Sequence, residues 1–117
     1  MDKIQIEAAL RNFTRSDNYH RHAAFSYTDG VKFLADEAGA YWLFDHIASR
    51  QKRARREKPL RVFQAWHLTV NGTRAVLACL TRDGVEVFGE EIAFTAFPLG
   101  EVALHLEDGV LRLPWEE

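Results

Sequence analysis

Three two-residue turns divide the second half of the chain into short segments of alternating polarity. Asn71-Gly72, Asp83-Gly84 and Asp108-Gly109 each lie between segments in which apolar and polar residues alternate. Such dipeptides supply the positive φ angles that tight β-hairpin turns require. The pattern therefore predicts an antiparallel sheet, built from consecutive hairpins, over residues 60–115.

The register of two hairpins follows from the same pattern. If Glu107 pairs with Val110, and Val70 pairs with Thr73, each hairpin presents one mostly apolar face. A half-covered antiparallel sheet requires such a face. The predicted strands are Arg61–Val70, Arg74–Thr81, Val85–Phe94, Glu101–Glu107 and Val110–Leu113.

Two segments of this region leave alternatives open. Leu99–Leu106 could form a short helix, although the following Asp108-Gly109 turn favours a strand. In the third strand, the charged Glu90 would point to the same face as the apolar Phe88, because the two residues lie two positions apart. A β-bulge near Gly89 would explain why a charged residue falls on the apolar face. The sheet is therefore predicted to have four or five strands.

The first half of the chain shows helical periodicity. Apolar residues recur at helical spacing over residues 2–13, 31–38 and 40–55. Gly39 is predicted to separate the last two helices, and Pro59 follows the end of the third.

Together these patterns predict an α+β fold, with N-terminal helices packed on one face of a four- to five-stranded antiparallel meander. A length of 117 residues is typical of one domain, so we expect residues 1–117 to form a single domain. Residues 1–58 would be mainly helical.

The single cysteine, Cys79, excludes an intramolecular disulfide and is predicted to be a buried, unreactive thiol.

The same sequence features bear on location. Asp2, Lys3 and Glu7 fall where a secretory signal would need an apolar core. No apolar run approaches the roughly 18 residues of a membrane span, and one cysteine suits a reducing compartment. We therefore expect a cytoplasmic protein without membrane contact, and no motif indicates a cofactor.

The segment YTDGVKFLADEAGAYWLFDHIAS, residues 27–49, resembles the signature of a family of small bacterial proteins grouped only as a domain of unknown function. Further similarity lies in FQAWHLTV (63–70) and FPLGEVALHLEDGVLRLP (97–114). The resemblance implies a compact intracellular bacterial protein from a phage, plasmid or mobile-element setting. It implies no activity and no catalytic residue.

The run Arg50–Lys58 carries six basic residues against Glu57 alone. It could bind nucleic-acid phosphates. Alternatively, its cations could complement the dipole at a helix C-terminus, and a pI near 6.2 is unlike that of a dedicated nucleic-acid binder. The candidate nucleic-acid-binding residues are Arg50, Lys52, Arg53, Arg55, Arg56 and Lys58.

A metal site would use His20, His22 and His46. The first two lie two residues apart, so they point to one side of an extended segment, and the third comes from the long helix. No established metal-binding spacing supports this site. Hydrogen-bonded or solvent-facing histidines are the alternative.

Aromatic residues that the predicted elements do not fully cover would mark a protein interface. Because no catalytic constellation emerges, the first hypothesis is a non-catalytic protein-interaction or regulatory module. Its partner would be another protein or a second copy, since nine acidic residues between Asp83 and Glu117 could meet the basic run in a homodimer. Nucleic-acid binding and a metal-dependent enzyme are the second and third hypotheses. The candidate interface residues are Tyr41, Trp42, Phe63, Phe97 and Trp115.

Overall fold

A computed structural model of the chain covers residues 1–117 and shows one seven-stranded sheet with helices packed on one of its faces. None of the helices combines the length and apolar character that crossing a membrane requires. The helices are α1 (Lys3–Leu10), α2 (Asp29–Ala38), α3 (Tyr41–Ser49) and α4 (Gln51–Ala54), followed by a 3₁₀ turn (Lys58–Arg61). The strands are β1 (Tyr19–Arg21), β2 (Ser26–Thr28), β3 (Phe63–Asn71), β4 (Arg74–Leu80), β5 (Glu86–Ile92), β6 (Glu101–Glu107) and β7 (Val110–Arg112).

The strand order in the sheet is β1-β2-β7-β6-β3-β4-β5. Only β2 and β7 pair in parallel, so the sheet is mostly antiparallel. The α+β class and all five predicted strands are confirmed. The predicted strand number and meander order are wrong, because β1 and β2 join the sheet and because β6 lies beside β3 rather than β5.

One hairpin has the predicted register and another is shifted. Glu107 pairs with Val110, and both turn residues, Asp108 and Gly109, have positive φ, as predicted. In the first hairpin Val70 pairs with Ala75 instead of the predicted Thr73. The shift equals two residues, so the side chains keep their predicted faces.

The irregularity in the third predicted strand lies at Val87, two residues before the predicted site at Gly89. Cys79 pairs with Phe88, whereas Leu80 pairs with Glu86, which leaves Val87 as the extra residue. The segment Leu99–Leu106, which could also have formed a short helix, belongs to β6 from Glu101 onward.

The hydrophobic core lies between the helices and the inner face of the sheet. On α2, Val31, Leu34 and Ala35 are buried at the helical spacing that the sequence shows. Gly39 ends this helix in the left-handed conformation, at φ 64°. The predicted long helix is interrupted at Arg50, which separates α3 from α4. The largest fully buried side chains of the sheet are Trp66, Leu68, Leu77, Leu104 and Leu111.

A buried carboxylate joins α2 to the C-terminal segment. Glu116 is 1% exposed. Its Oε1 accepts hydrogen bonds from Thr28 Oγ1 at 2.5 Å and Leu113 N at 3.3 Å, and its Oε2 accepts one from Gly30 N at 2.9 Å. A negative charge at a helix N-terminus is stabilised by the helix dipole and by the free N–H groups there.

We predict that Gly30→Ala destabilises the protein by about 1–2 kcal/mol, measured by urea unfolding. A Cβ atom at residue 30 would lie 2.6 Å from Leu113 Cδ1 and 2.7 Å from Glu116 Oε1. Alanine gains about 1 kcal/mol of helix propensity, but overpacking typically costs about 1–3 kcal/mol and the displaced carboxylate loses buried hydrogen bonds.

Gly100→Ala is the matched control. A Cβ atom there would meet only Lys3 Nζ, at 3.7 Å, so stability should stay within about 0.5 kcal/mol of wild type. Equal effects of the two substitutions would show that Gly30 is not required for the approach of Glu116.

Candidate functional site

The three histidines of the proposed metal site do not come together. Each ring binds a different carboxylate, and no group of three or more histidine, cysteine, aspartate or glutamate side chains could hold a metal ion. The structure therefore gives the metal hypothesis no site. The pairs are His20 Nε2 with Asp29 Oδ1 at 2.8 Å, His22 Nε2 with Asp45 Oδ1 at 3.2 Å, and His46 Nδ1 with Glu90 Oε1 at 3.1 Å.

The His20–Asp29 pair fixes a loop rather than forming an isolated dyad. The hydrogen bond from His20 is the main cause that lowers the pKa of Asp29. The other carboxylate oxygen of Asp29 accepts from the backbone N–H groups of Asp17 and Asn18, each at 3.2 Å. Asp29 thus holds the segment before β1 against the start of α2.

Glu90 explains the parity conflict in β5. It lies on the inner face beside Phe88, where its carboxylate binds His46 and the guanidinium of Arg50. A charged residue tolerates a half-buried position when its charge is paired and hydrogen-bonded. Arg50, the first residue of the basic run, is therefore a structural ion-pair partner.

The basic side chains of the run other than Arg50 are exposed. Arg53 stacks over the ring of Phe88, with 4.4 Å between Cζ and the ring centroid. Arg61, which lies outside the predicted set, donates to the carbonyl oxygen of Arg55 at 2.8 Å and adds a further exposed cation. The exposed members of the predicted set are Lys52, Arg53, Arg55, Arg56 and Lys58.

The predicted interface aromatics divide into two groups. Phe63 and Phe97 are 5% and 7% exposed, so both are buried, contrary to the prediction. Tyr41 is exposed, and Trp42 and Trp115 are half-buried. Sequence reasoning missed Phe94, which is 72% exposed because β5 ends at Ile92 and leaves it outside the sheet.

Cys79 is fully buried on the inner face of β4, and burial raises the pKa of its thiol to about 12. The predicted burial is confirmed, and a thiol with this pKa stays protonated at neutral pH.

Half of β6 has no neighbouring strand on one side. β7 pairs only with residues 105–107 and ends at Arg112. The Val70 N–H donates to Gly100 O at 2.8 Å, which fixes the alternation of ladder hydrogen bonds with β3. By this alternation, Glu101 and Ala103 direct their N–H and C=O groups away from β3.

A groove of about 420 Å³ lies along this free half of β6. One wall comes from Glu7 and Leu10 of α1 and from Arg11, which follows the helix, and another wall comes from Trp115. The indole N–H of Trp115 donates to Leu10 O at 3.0 Å, and Arg11 stacks over the indole at 4.2 Å. We call this feature the β6 groove. It combines unpaired backbone with an apolar wall.

A second pocket, also of about 420 Å³, lies on the outer face of the sheet, which no helix covers. We call it the outer pocket. Glu107 binds Arg82 at 2.5 Å and Arg112 at 3.0 Å, and these two cations lower the pKa of Glu107. The side chains that line the outer pocket include Phe63, Ala65, His67, Arg82, His105 and Arg112.

Comparison with known proteins assigns the chain to a family. A family model, described as a family of unknown function (DUF6876), matches residues 4–117. The chain belongs to the DUF6876 family. No curated protein and no solved structure matches it.

The resemblance predicted in the sequence, to a family grouped only as a domain of unknown function, is thus confirmed at the family level. In this DUF6876 member, several residues of the segment 27–49 make contacts that stabilise the fold. Thr28 and Gly30 receive Glu116, Gly39 ends α2, and the Tyr41 hydroxyl binds the carboxylate of Asp36. These five residues of the segment 27–49 therefore have structural roles.

We predict that Glu90→Gln lowers the free energy of unfolding by about 1–2 kcal/mol, because Arg50 and His46 lose their half-buried anionic partner. This value lies between those typical of exposed and of fully buried ion pairs. Glu91→Gln, on the exposed outer face next in sequence, should change stability by less than about 0.5 kcal/mol. Urea unfolding of both variants measures the difference, and equal effects would contradict a structural role of Glu90.

Proposed function

We propose that the protein is a non-catalytic interaction module that binds an extended segment of a partner protein along the β6 groove. The observation that supports this proposal is the free half of β6, whose peptide groups at Glu101 and Ala103 have no neighbouring strand. An added strand from the partner would pair with them, as in other cases of peptide recognition by strand addition.

The edges of the sheet differ in their protection against such pairing. β1 has only three residues, and β5 carries Glu91 on its exposed side and an extra residue at Val87. Short strands, charges and bulges are common protection against unwanted strand addition. The free half of β6 instead lies next to a groove with apolar side chains.

The groove also indicates the chemistry of the partner segment. Leu10, Leu99 and Trp115 supply an apolar surface that would receive an aliphatic or aromatic side chain. The charges near the same groove nearly balance, since Arg11 lines it beside Glu7 and Glu101 and Lys3 lies 4.0 Å from the carboxylate of Glu7. We therefore infer an extended segment that alternates apolar residues with uncharged polar ones.

A phage-displayed library of random peptides provides the test. Peptides selected on the protein should protect the amides of Glu101 and Ala103 from hydrogen exchange, because those groups gain hydrogen-bond partners. Ala103→Pro removes the outward N–H and should reduce the affinity at least 10-fold, about 1.4 kcal/mol. Glu91→Pro, on the outer edge of β5, should leave the affinity unchanged.

The proposal is wrong if selected peptides protect other amides, or if Ala103→Pro binds them as well as the wild type does. Circular dichroism and thermal unfolding of both proline variants establish that each is folded before its affinity is compared.

Exposed cations favour nucleic-acid binding as a second candidate function. Residues 52–58 keep five exposed basic side chains, and Arg61 adds another close by. Arg50 contributes to this surface only weakly, because Glu90 neutralises it. If nucleic acid binds here, the affinity depends on phosphate contacts and falls steeply with salt.

We predict that replacing Arg53, Arg55 and Arg56 together by alanine abolishes salt-sensitive retention on heparin or DNA, if the second candidate is correct. The matched control replaces Arg15, Arg21 and Arg74, which are exposed outside the run, by alanine. Equal retention of the two triple variants would exclude a specific role for the basic run.

A cytoplasmic, bacterial setting is part of the proposal. It is supported by the free buried thiol of Cys79, which suits a reducing compartment. The bacterial and mobile-element origin is supported only by the resemblance of the signature segment.

A further inference from the structure

Two of the five histidines differ from the others in their surroundings. His20, His22 and His46 each bind a carboxylate, whereas neither imidazole of His67 and His105 makes a hydrogen bond within the chain. Both of these unpaired imidazoles line the outer pocket. Two ring systems with free donor or acceptor atoms thus lie in the same cavity.

The cations of the outer pocket are held in place before any ligand binds. Arg82 stacks over Phe63, with 4.2 Å between Cζ and the ring centroid, and one of its guanidinium N–H groups donates a hydrogen bond to the carboxylate of Glu107. Its other guanidinium N–H groups make no hydrogen bond in the chain. Arg112 is fixed by Glu107 at 3.0 Å and by Glu116 O at 3.3 Å. Fixed guanidinium groups lose little conformational entropy when they bind an oxyanion.

The remaining surface of the outer pocket is apolar or neutral. Ala65, Leu80 and Pro114 line it, and Phe63 packs edge-on against His105 with 4.8 Å between the ring centroids. A volume of about 420 Å³ is in the range of small-molecule pockets. Two cations against one carboxylate leave an excess of positive charge.

We infer that the outer pocket binds a small organic anion, with its oxyanion group at Arg82 and the two unpaired histidines and its apolar body over Ala65 and Leu80. Arginine is suited to such binding because its N–H groups match the geometry of carboxylate and phosphate oxygens. This site is distinct from the β6 groove, although His67 lines both.

The electrostatics of His105 couple binding of this anion to pH. Burial lowers the pKa of His105, and the cations Arg112 and Arg82 and the neighbouring His67 lower it further, against the opposite effect of Glu107. A bound anion offsets these cations and raises the pKa of His105. By linkage, the protein takes up protons on binding, so affinity increases as pH falls through the pKa that His105 has in the anion-bound protein.

Nuclear magnetic resonance of the imidazole groups tests the inference with three probes. Benzoate should produce saturable shifts of the His67 and His105 resonances and should raise the titration midpoint of His105. Acetate, which lacks an apolar body, should bind more weakly than benzoate. Inorganic phosphate shows which oxyanion group the natural ligand carries. If phosphate binds more tightly than acetate, the ligand carries a phosphate group. If phosphate binds more weakly, the ligand carries a carboxylate.

Arg82→Gln should weaken benzoate binding roughly 10-fold, because it removes the exposed cation of the outer pocket. Arg74→Gln changes an exposed arginine on the same face at the opposite end of β4 and should have no effect. His67→Gln provides a second variant outside the core and should also weaken binding.

The inference is overturned if none of the three probes gives saturable shifts, or if Arg82→Gln and Arg74→Gln bind benzoate equally. A loss of binding in both arginine variants would also overturn it, since that result would indicate attraction by net charge alone.

Discussion

The rest of the structure depends on the hydrogen bonds that the carboxylate of Glu116 accepts at the N-terminus of α2. This carboxylate connects residues that are 86 and 88 positions apart and has almost no contact with solvent. To reach Gly30, the chain must turn after Leu113, whose carbonyl accepts from the Glu116 N–H at 3.0 Å. That turn follows directly after the end of β7. The same contact that closes the core therefore leaves half of β6 without a neighbouring strand.

The parts of the fold that depend on local pattern could be predicted from the sequence. Asp108-Gly109 fixed the last hairpin, since both residues adopt the positive φ that its turn needs. The alternation of apolar and polar residues identified the inner face of the sheet. It did so even for β3 and β4, where the pairing partner of Val70 differs from the predicted one by two residues. By contrast, the three residues of β2 are too few to show alternation, and their parallel pairing with β7 depends on contacts distant in sequence.

The candidate site residues were harder to predict, because composition does not show which side chains already have hydrogen-bond partners. The sequence drew attention to His20, His22 and His46, and all three are bound to carboxylates. His67 and His105 had no such signal, although they lie on opposed strands and share a pocket. One feature of the sequence did point to a contact. Glu90 is a charged residue at a position of β5 where apolar residues are expected, and its carboxylate pairs with Arg50.

The parallel pairing of β2 with β7 also has a consequence for how the chain folds during synthesis. The helical half leaves the ribosome first, but its edge strands gain their sheet partner only from residues 110 and 111. Contacts between distant residues form late and slow the folding of a small domain. The β1–β2 hairpin therefore cannot join the sheet until β7 has been translated, although β3 and β4 can cover part of the helices earlier.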